Sequence, residues 1–152
     1  MATTRPDAHA KRLAFREILA RPPVTVMPGG FSPVYARMCE EVGFTCFFAS
    51  GSQMSAYLLG VPDNGTIGVR DVVDHVRHIA AHTSIPILAD ADTGFGNATN
   101  VRYTVAELIR SGVAGLQIED QQWPKNSAGT HRSISLDEAV AKIRAAVETR
   151  DA

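Results

Sequence analysis

Four times along the chain, a short apolar run is followed by a segment whose apolar residues recur every three or four positions. The runs are "VTVMP" (Val24 to Pro28), "FTCFFAS" (Phe44 to Ser50), "IPILA" (Ile85 to Ala89) and "GLQIE" (Gly115 to Glu119). The periodic segments are "SPVYARMCEEVG", "VRDVVDHVRHIAAHT", "TNVRYTVAELIRSG" and "SLDEAVAKIRAAVE". In the second, Val69, Val72, Val73, Val76, Ile79 and Ala80 form one helical stripe, and in the third Val101, Val105, Leu108 and Ile109 do the same. Ser32 and Pro33 suit a helix start and Gly43 and Gly112 suit helix ends, while Ser135 with Glu138 reads as a capping box. Strand followed by helix, repeated, dictates a parallel sheet covered by helices. Two architectures satisfy that pattern: a doubly wound open sheet and a (β/α)8 barrel.

The residues at the strand ends separate the two. The second run ends in Ser50-Gly51-Ser52, the third in Asp90 and Asp92, and the fourth in Glu119 and Asp120. Polar and acidic groups at the C-terminal ends of several strands fit the mouth of a barrel. A nucleotide-binding open sheet calls for a glycine-rich turn after its first strand, and "MPGGFSP" lacks that spacing. Converging carboxylates repel one another and are costly to desolvate, which a divalent cation would relieve. With oxygen ligands and no His or Cys beside them, the set favours Mg²⁺ or Mn²⁺. In an extended strand Asp90 and Asp92 project to one side with Ala91 between them facing away, and Gly94 and Gly96 would admit backbone or substrate. On spacing alone, the same acids could instead cap the next helix or pair with a surface cation.

Composition narrows the partners. The chain has 152 residues, is 45% hydrophobic and 20% charged, and carries a formal net charge of −1. One folded domain is expected, and neither nucleic acid nor an anionic membrane is an expected partner. No apolar run reaches the length of a membrane span and the N-terminus lacks a secretory apolar core, so a cytoplasmic location is expected. Cys39 and Cys46 form no metal or redox motif and read as two buried thiols.

Three motifs, "PILADADTGFGN", "GVAGLQIEDQ" and "LLGVPDNG", in their order and spacing resemble the isocitrate lyase and phosphoenolpyruvate mutase superfamily. "IEDQQWPK" is most similar to the branch of 2-methylisocitrate lyase, dimethylmalate lyase and carboxyphosphonoenolpyruvate mutase. The resemblance implies a Mg²⁺-dependent (β/α)8 TIM-type barrel that makes or breaks a C–C or P–C bond beside a 2-oxo or 2-hydroxy acid through an enolate. It implies that Asp90 is the direct metal ligand and that Asp92, Glu119 and Asp63 hold the metal through waters. Ser50, Gly51 and Ser52 would bind a substrate carboxylate with Asp90, and Phe48 would stand against the substrate. Lys125 would belong to the loop that closes over the site. A small carboxylic acid substrate and a homo-oligomer are implied as partners.

Two departures qualify the resemblance. In the lyases this loop carries a proton-donating cysteine, whereas here "WPKNSAGTH" puts Ser127 at that position. A thiol titrates near pH 8.5 and an unactivated hydroxyl does not, so oxaloacetate-type or phosphonopyruvate-type chemistry competes with methylisocitrate cleavage. A barrel takes about 250 residues. The expectation is therefore a single domain over 1–152, an N-terminal helix plus about the first four βα units of a barrel, with a non-catalytic half-barrel as the alternative. His75, His78 and His82 read as solvated or edge residues, Trp123 as packing the loop base, and Arg102, Arg110, Lys142 and Arg144 as helix exteriors. His131 could stand in for a loop histidine.

Overall fold

A computed structural model describes residues 7–22, 24–125 and 132–152. The order is α1 (Ala8–Ala20), β1 (Gly29–Gly30), α2 (Pro33–Glu41), β2 (Phe47–Ala49), α3 (Gly51–Leu59), α4 (Val69–Ala81), β3 (Ile87–Asp90), α5 (Ala98–Arg110), β4 (Gly115–Gln117) and α6 (Leu136–Asp151). The strands form one four-stranded parallel sheet in sequence order, with Phe48 level with Leu88 and Leu88 level with Gly115. This is the α/β arrangement of successive βα units that the alternating pattern requires. No helix among the described residues is long and apolar enough to cross a membrane.

Alternation divides the sheet into two faces. Phe47, Ala49, Ile87 and Ala89 are fully buried against the helices, packed with Val72, Val73, Val76, Ile79 and Leu108. Each helical stripe read from the sequence is therefore a core face. Phe48, Leu88 and Gly115 lie on the opposite face. A Cβ on Gly115 would stand 2.9 Å from Phe15 Cε1 and 3.1 Å from Leu88 Cδ1, so its bare backbone makes room for α1 to lay Phe15 there. A second cluster, built on Val101, Val105 and Ala145, joins α5 to α6.

Helix α1 is tied on by charge as well as by Phe15. The buried Lys11 ammonium donates to Ala80 O at 2.8 Å and Thr83 O at 2.5 Å, at the end of α4. Arg12 donates to Ile109 O at 2.9 Å and Val113 O at 3.2 Å, at the end of α5. Both cations donate to carbonyls in or just past the last turn of a helix, where the helix dipole also favours positive charge. α1 is thus fixed at the end of the sheet from which the strands start, away from the acidic ends.

Several expectations hold and several shift. Ser32 Oγ accepts from Tyr35 N–H at 3.2 Å with Pro33 in the first turn, as expected. Ser135 Oγ accepts from Glu138 N–H at 3.2 Å, but the Glu138 carboxylate lies 3.5 Å from Lys142 Nζ on the next turn. The first strand is Gly29–Gly30 and not Val24 to Pro28, where Val24 and Val26 are exposed. Only the end of that run reaches the ladder, through Pro28 O, which accepts from Phe48 N–H at 2.9 Å. Among the described residues the sheet has no partner strand on that side, so the run's apolar character is not matched by burial. Cys46 is buried and Cys39 half-buried, both unpaired. The stretch after the second strand, which reads as irregular, is helix α3, closed by Gly60 in the left-handed region at φ 67°.

The Lys11 anchor is testable. Lys11→Met keeps the aliphatic stem but removes the donor from two buried carbonyls, and should cost about 1–3 kcal/mol of unfolding free energy. Urea denaturation followed by circular dichroism measures it; an unchanged midpoint would show that the Lys11 bonds add nothing to the hold on α1.

Candidate functional site

The chain leaves the sheet immediately after Asp90. Asp92 adopts a left-handed backbone at φ 50°, and its N–H donates to Asp90 Oδ1 at 2.9 Å. Asp92 Oδ1 accepts from Thr93 N–H at 2.7 Å. The two carboxylates are therefore brought together by a tight turn and not by strand alternation. Ala91 does face the core, fully buried. Asp is among the few side chains that tolerate the left-handed region. Gly94 and Gly96 make room for α5: a Cβ at Gly94 would meet Val101 Cγ2 at 2.5 Å, and one at Gly96 would meet Asn100 Oδ1 at 2.4 Å. The cap of α5 is Asn97, whose side chain accepts from Thr99 N–H at 2.9 Å, which leaves the acids free of that duty.

Ser50, Gly51 and Ser52 pass from β2 into the first turn of α3. Gly51 N–H donates to Asp90 Oδ2 at 2.9 Å, and the Ser50 and Ser52 hydroxyls lie 3.1 Å apart. A Cβ on Gly51 would stand 2.9 Å from Asp90 Oδ2, so this approach requires glycine. The helix N-terminus brings partial positive charge to Asp90. Phe48 is half-buried on the sheet face opposite the helices, level with Leu88 and so two residues below Asp90.

Glu119, just past β4, is drawn in by its own N–H, which donates to Asp92 O at 2.8 Å. Asp63 arrives from the α3–α4 connection. The Lys125 ammonium joins the three: it is 2.9 Å from Asp63 Oδ2, 3.4 Å from Asp92 Oδ2 and 3.3 Å from Glu119 Oε2. Gln121 Nε2 donates to Glu119 Oε2 at 2.7 Å. Lys125 is held from behind, since Gly65 packs so tightly that a Cβ there would stand 3.0 Å from Lys125 N and 3.0 Å from Trp123 Nε1. Trp123 thus packs at the loop base, as its place beside Pro124 suggests.

Burial pushes the Asp92 and Glu119 carboxyls above the ordinary range, and neighbouring acids add to the rise, while Lys125 pulls both down. For Lys125, burial favours the neutral amine, but the Asp63 hydrogen bond and the charges of Asp92, Asp63 and Glu119 outweigh it and hold the ammonium charged. Among the described residues no three His, Cys, Asp or Glu side chains are gathered as a metal cage. The acids converge on the ammonium instead. Their chemistry still suits a hard divalent ion: all donors are oxygens, they come from two strand ends and one loop, and a cation already stands among them.

The sequence-derived set of Phe48, Ser50, Gly51, Ser52, Asp63, Asp90, Asp92, Glu119 and Lys125 is thus brought to one end of the sheet. Ser127 and His131 lie outside the described residues. The helix histidines have structural partners: His75 Nε2 meets Phe31 O, and His82 Nδ1 lies 2.7 Å from His78 O. Lys142 corrects its exterior reading. It is buried, and its Nζ donates to Thr93 O at 3.2 Å, anchoring the turn between the acids and α5. Its spacing from Ala145 on one helix face is the signal that could have revealed it. Gln121 carried no comparable signal.

Comparison with known proteins places the chain in a family. The family described as Phosphoenolpyruvate phosphomutase matches residues 15–152. The chain is 42% identical over 143 residues to an oxaloacetate decarboxylase of Pseudomonas entomophila, covering 93% of this chain and 50% of that protein. It is 39% identical over 137 residues to 2,3-dimethylmalate lyase of Eubacterium barkeri, covering 89% and 47%. A solved phosphonopyruvate hydrolase in complex with oxalate and Mg²⁺ superposes with a TM-score of 0.84 at 33% identity, over 92% of this chain and 48% of that one. The chain spans about half the length of the curated relatives it matches. With the family matched over nearly all of its residues, the chain belongs to the isocitrate lyase and phosphoenolpyruvate mutase superfamily.

Proposed function

We propose that the chain supplies the acidic metal cluster and the carboxylate-binding loop of a Mg²⁺-dependent lyase. The enzyme would act on a small 2-hydroxy or 2-oxo dicarboxylic acid and pass through an enolate. The observation that carries this reading is the meeting of Asp63, Asp90, Asp92 and Glu119 at the strand ends, with the Gly51 amide aimed at Asp90. Bound Mg²⁺, or Mn²⁺, would supply Lewis-acid stabilisation of the negative charge that develops on a substrate oxygen.

In this reading Asp90 is the direct ligand, oriented by the amides of Gly51 and Asp92. Asp92, Glu119 and Asp63 hold the ion through waters. The hydroxyls of Ser50 and Ser52 and the amides at the start of α3 receive a substrate carboxylate, since a helix N-terminus favours an anion. Phe48 lines the inner face below them. Lys125 provides a positive charge among the acids. The resemblance extends this setting to a cytoplasmic homo-oligomer.

Ser127 bears on the substrate. Methylisocitrate-type cleavage needs a proton delivered to the departing carbanion, and a serine hydroxyl is a poor donor. Oxaloacetate and phosphonopyruvate chemistry does not need that donor. The second reading, activity of the oxaloacetate or phosphonopyruvate type, is favoured by this residue and by the decarboxylase and hydrolase among the relatives.

Calorimetric titration with Mn²⁺ tests the metal assignment. Asp90→Ala should abolish binding, and Gly51→Ala, which crowds Asp90 Oδ2, should weaken it about tenfold or more. Equal affinity in wild type and Asp90→Ala would remove Asp90 as the ligand. A second assay follows turnover of 2-methylisocitrate, oxaloacetate and phosphonopyruvate at saturating Mg²⁺, on the protein that carries this chain. Ser127→Cys should raise methylisocitrate cleavage by a large part of the 10²- to 10⁴-fold that general acid catalysis typically contributes, and leave the other two unchanged. Efficient methylisocitrate cleavage by wild type, unaltered by the cysteine, would show that the proton comes from another group.

A further inference from the structure

Lys125 stands where the reading above puts a divalent ion's field. Its ammonium has three donors and faces three carboxylates, Asp63, Asp92 and Glu119, at 2.9 to 3.4 Å. These are the same three acids assigned above to hold the metal through waters. Asp90 differs, because its two oxygens accept main-chain amides and it makes no ion pair with Lys125 among the described contacts. Its place as a ligand does not depend on where the lysine goes.

We infer that Lys125 is a tethered cation that occupies the acidic cluster and is displaced when a divalent ion enters. The inference rests on the metal reading of the same site. Two like charges cannot share the cluster: an ammonium within 3.4 Å of those oxygens would face a hydrated divalent ion at close range in a partly buried setting, where Coulomb repulsion is poorly screened. The divalent ion carries twice the charge and so wins the acids at sufficient concentration. Lysine suits the exchange, being a point charge on a flexible stem with no fixed fork geometry to lose. Metal affinity is then set by competition with the chain's own side chain, and metal entry releases Lys125 from its internal ion pairs.

Mn²⁺ titration at pH 8 of wild type, Lys125→Met and Lys125→Arg tests this. Lys125→Met should bind about tenfold tighter or better, and Lys125→Arg, which keeps the charge, should not. Equal or weaker binding by Lys125→Met would overturn the inference and make Lys125 a support for the acids. Failure of all three to bind metal would overturn the metal reading as well. Should Lys125→Met not fold, as judged by circular dichroism, wild type decides. Pulse acetylation read by mass spectrometry should label Lys125 several-fold faster with Mg²⁺ than without, while the buried Lys11 and Lys142 stay unchanged. A Lys125 rate indifferent to Mg²⁺ would also overturn the inference.

Discussion

Four carboxylates at one end of a sheet, most of them shielded from water, form an unstable arrangement unless positive charge reaches them. Lys125 and the main-chain amides around Asp90 supply it. Asp92 and Lys125 are both buried, so their pairing is not the weak surface kind. Removing one partner of such a pair typically costs about 3–5 kcal/mol, mostly because the other is left charged and desolvated. Much of the local geometry follows from bringing that compensation in. The turn after β3 folds Asp92 back onto Asp90, Glu119 is hung from the Asp92 carbonyl, and Gly65 leaves space for Lys125 to approach from behind.

The two ends of the sheet do different work. Where the strands begin, Lys11 and Arg12 of α1 cap the carbonyl ends of α4 and α5 and Phe15 fills the space left by Gly115. These contacts stabilise and carry no chemistry. Where the strands end, polar groups are concentrated at a cost in desolvation. This division is the one expected of barrel-type βα units, in which loops at the C-terminal face carry the reaction and the opposite face carries stability. Lys142 links the two, since a residue of the α5–α6 packing face holds the Thr93 carbonyl beside the acids.

Much of this was legible in the sequence because periodicity reports burial. The stripes of α4 and α5 and the caps at Ser32 and Ser135 are local signals, and the structure repeats them. The acids were legible because a strand that ends in charge needs a reason. What escaped depends on partners distant in sequence. α3 opens on Gly-Ser and carries no clear apolar stripe, so its helicity follows from its position between β2 and the acidic end. Val24 and Val26 look like a buried strand, yet strand burial needs a neighbour on each side, and β1 has one only at β2. Asp90 and Asp92 meet by a left-handed turn that alternation cannot foretell. The glycines at 94 and 96 look like ligand-binding positions because their spacing cannot say that α5 is what comes close.

The acids also divide by the kind of group that neutralises them, and that division bears on the chemistry. Asp90 is held by two backbone amides, one from the start of α3 and one from its own turn, and backbone amides cannot leave. Asp63, Asp92 and Glu119 share a side-chain ammonium, which can, and of these, among the described contacts, only Asp92 also accepts a backbone amide, that of Thr93, on one oxygen. A group that must present one oxygen to a metal at fixed geometry gains from rigid donors, because a small displacement of a ligand lowers affinity sharply. Groups that act through water tolerate looser placement, since a water can adjust between them and the ion. Asp90, with both oxygens on backbone amides, therefore has the most fixed geometry of the four acids.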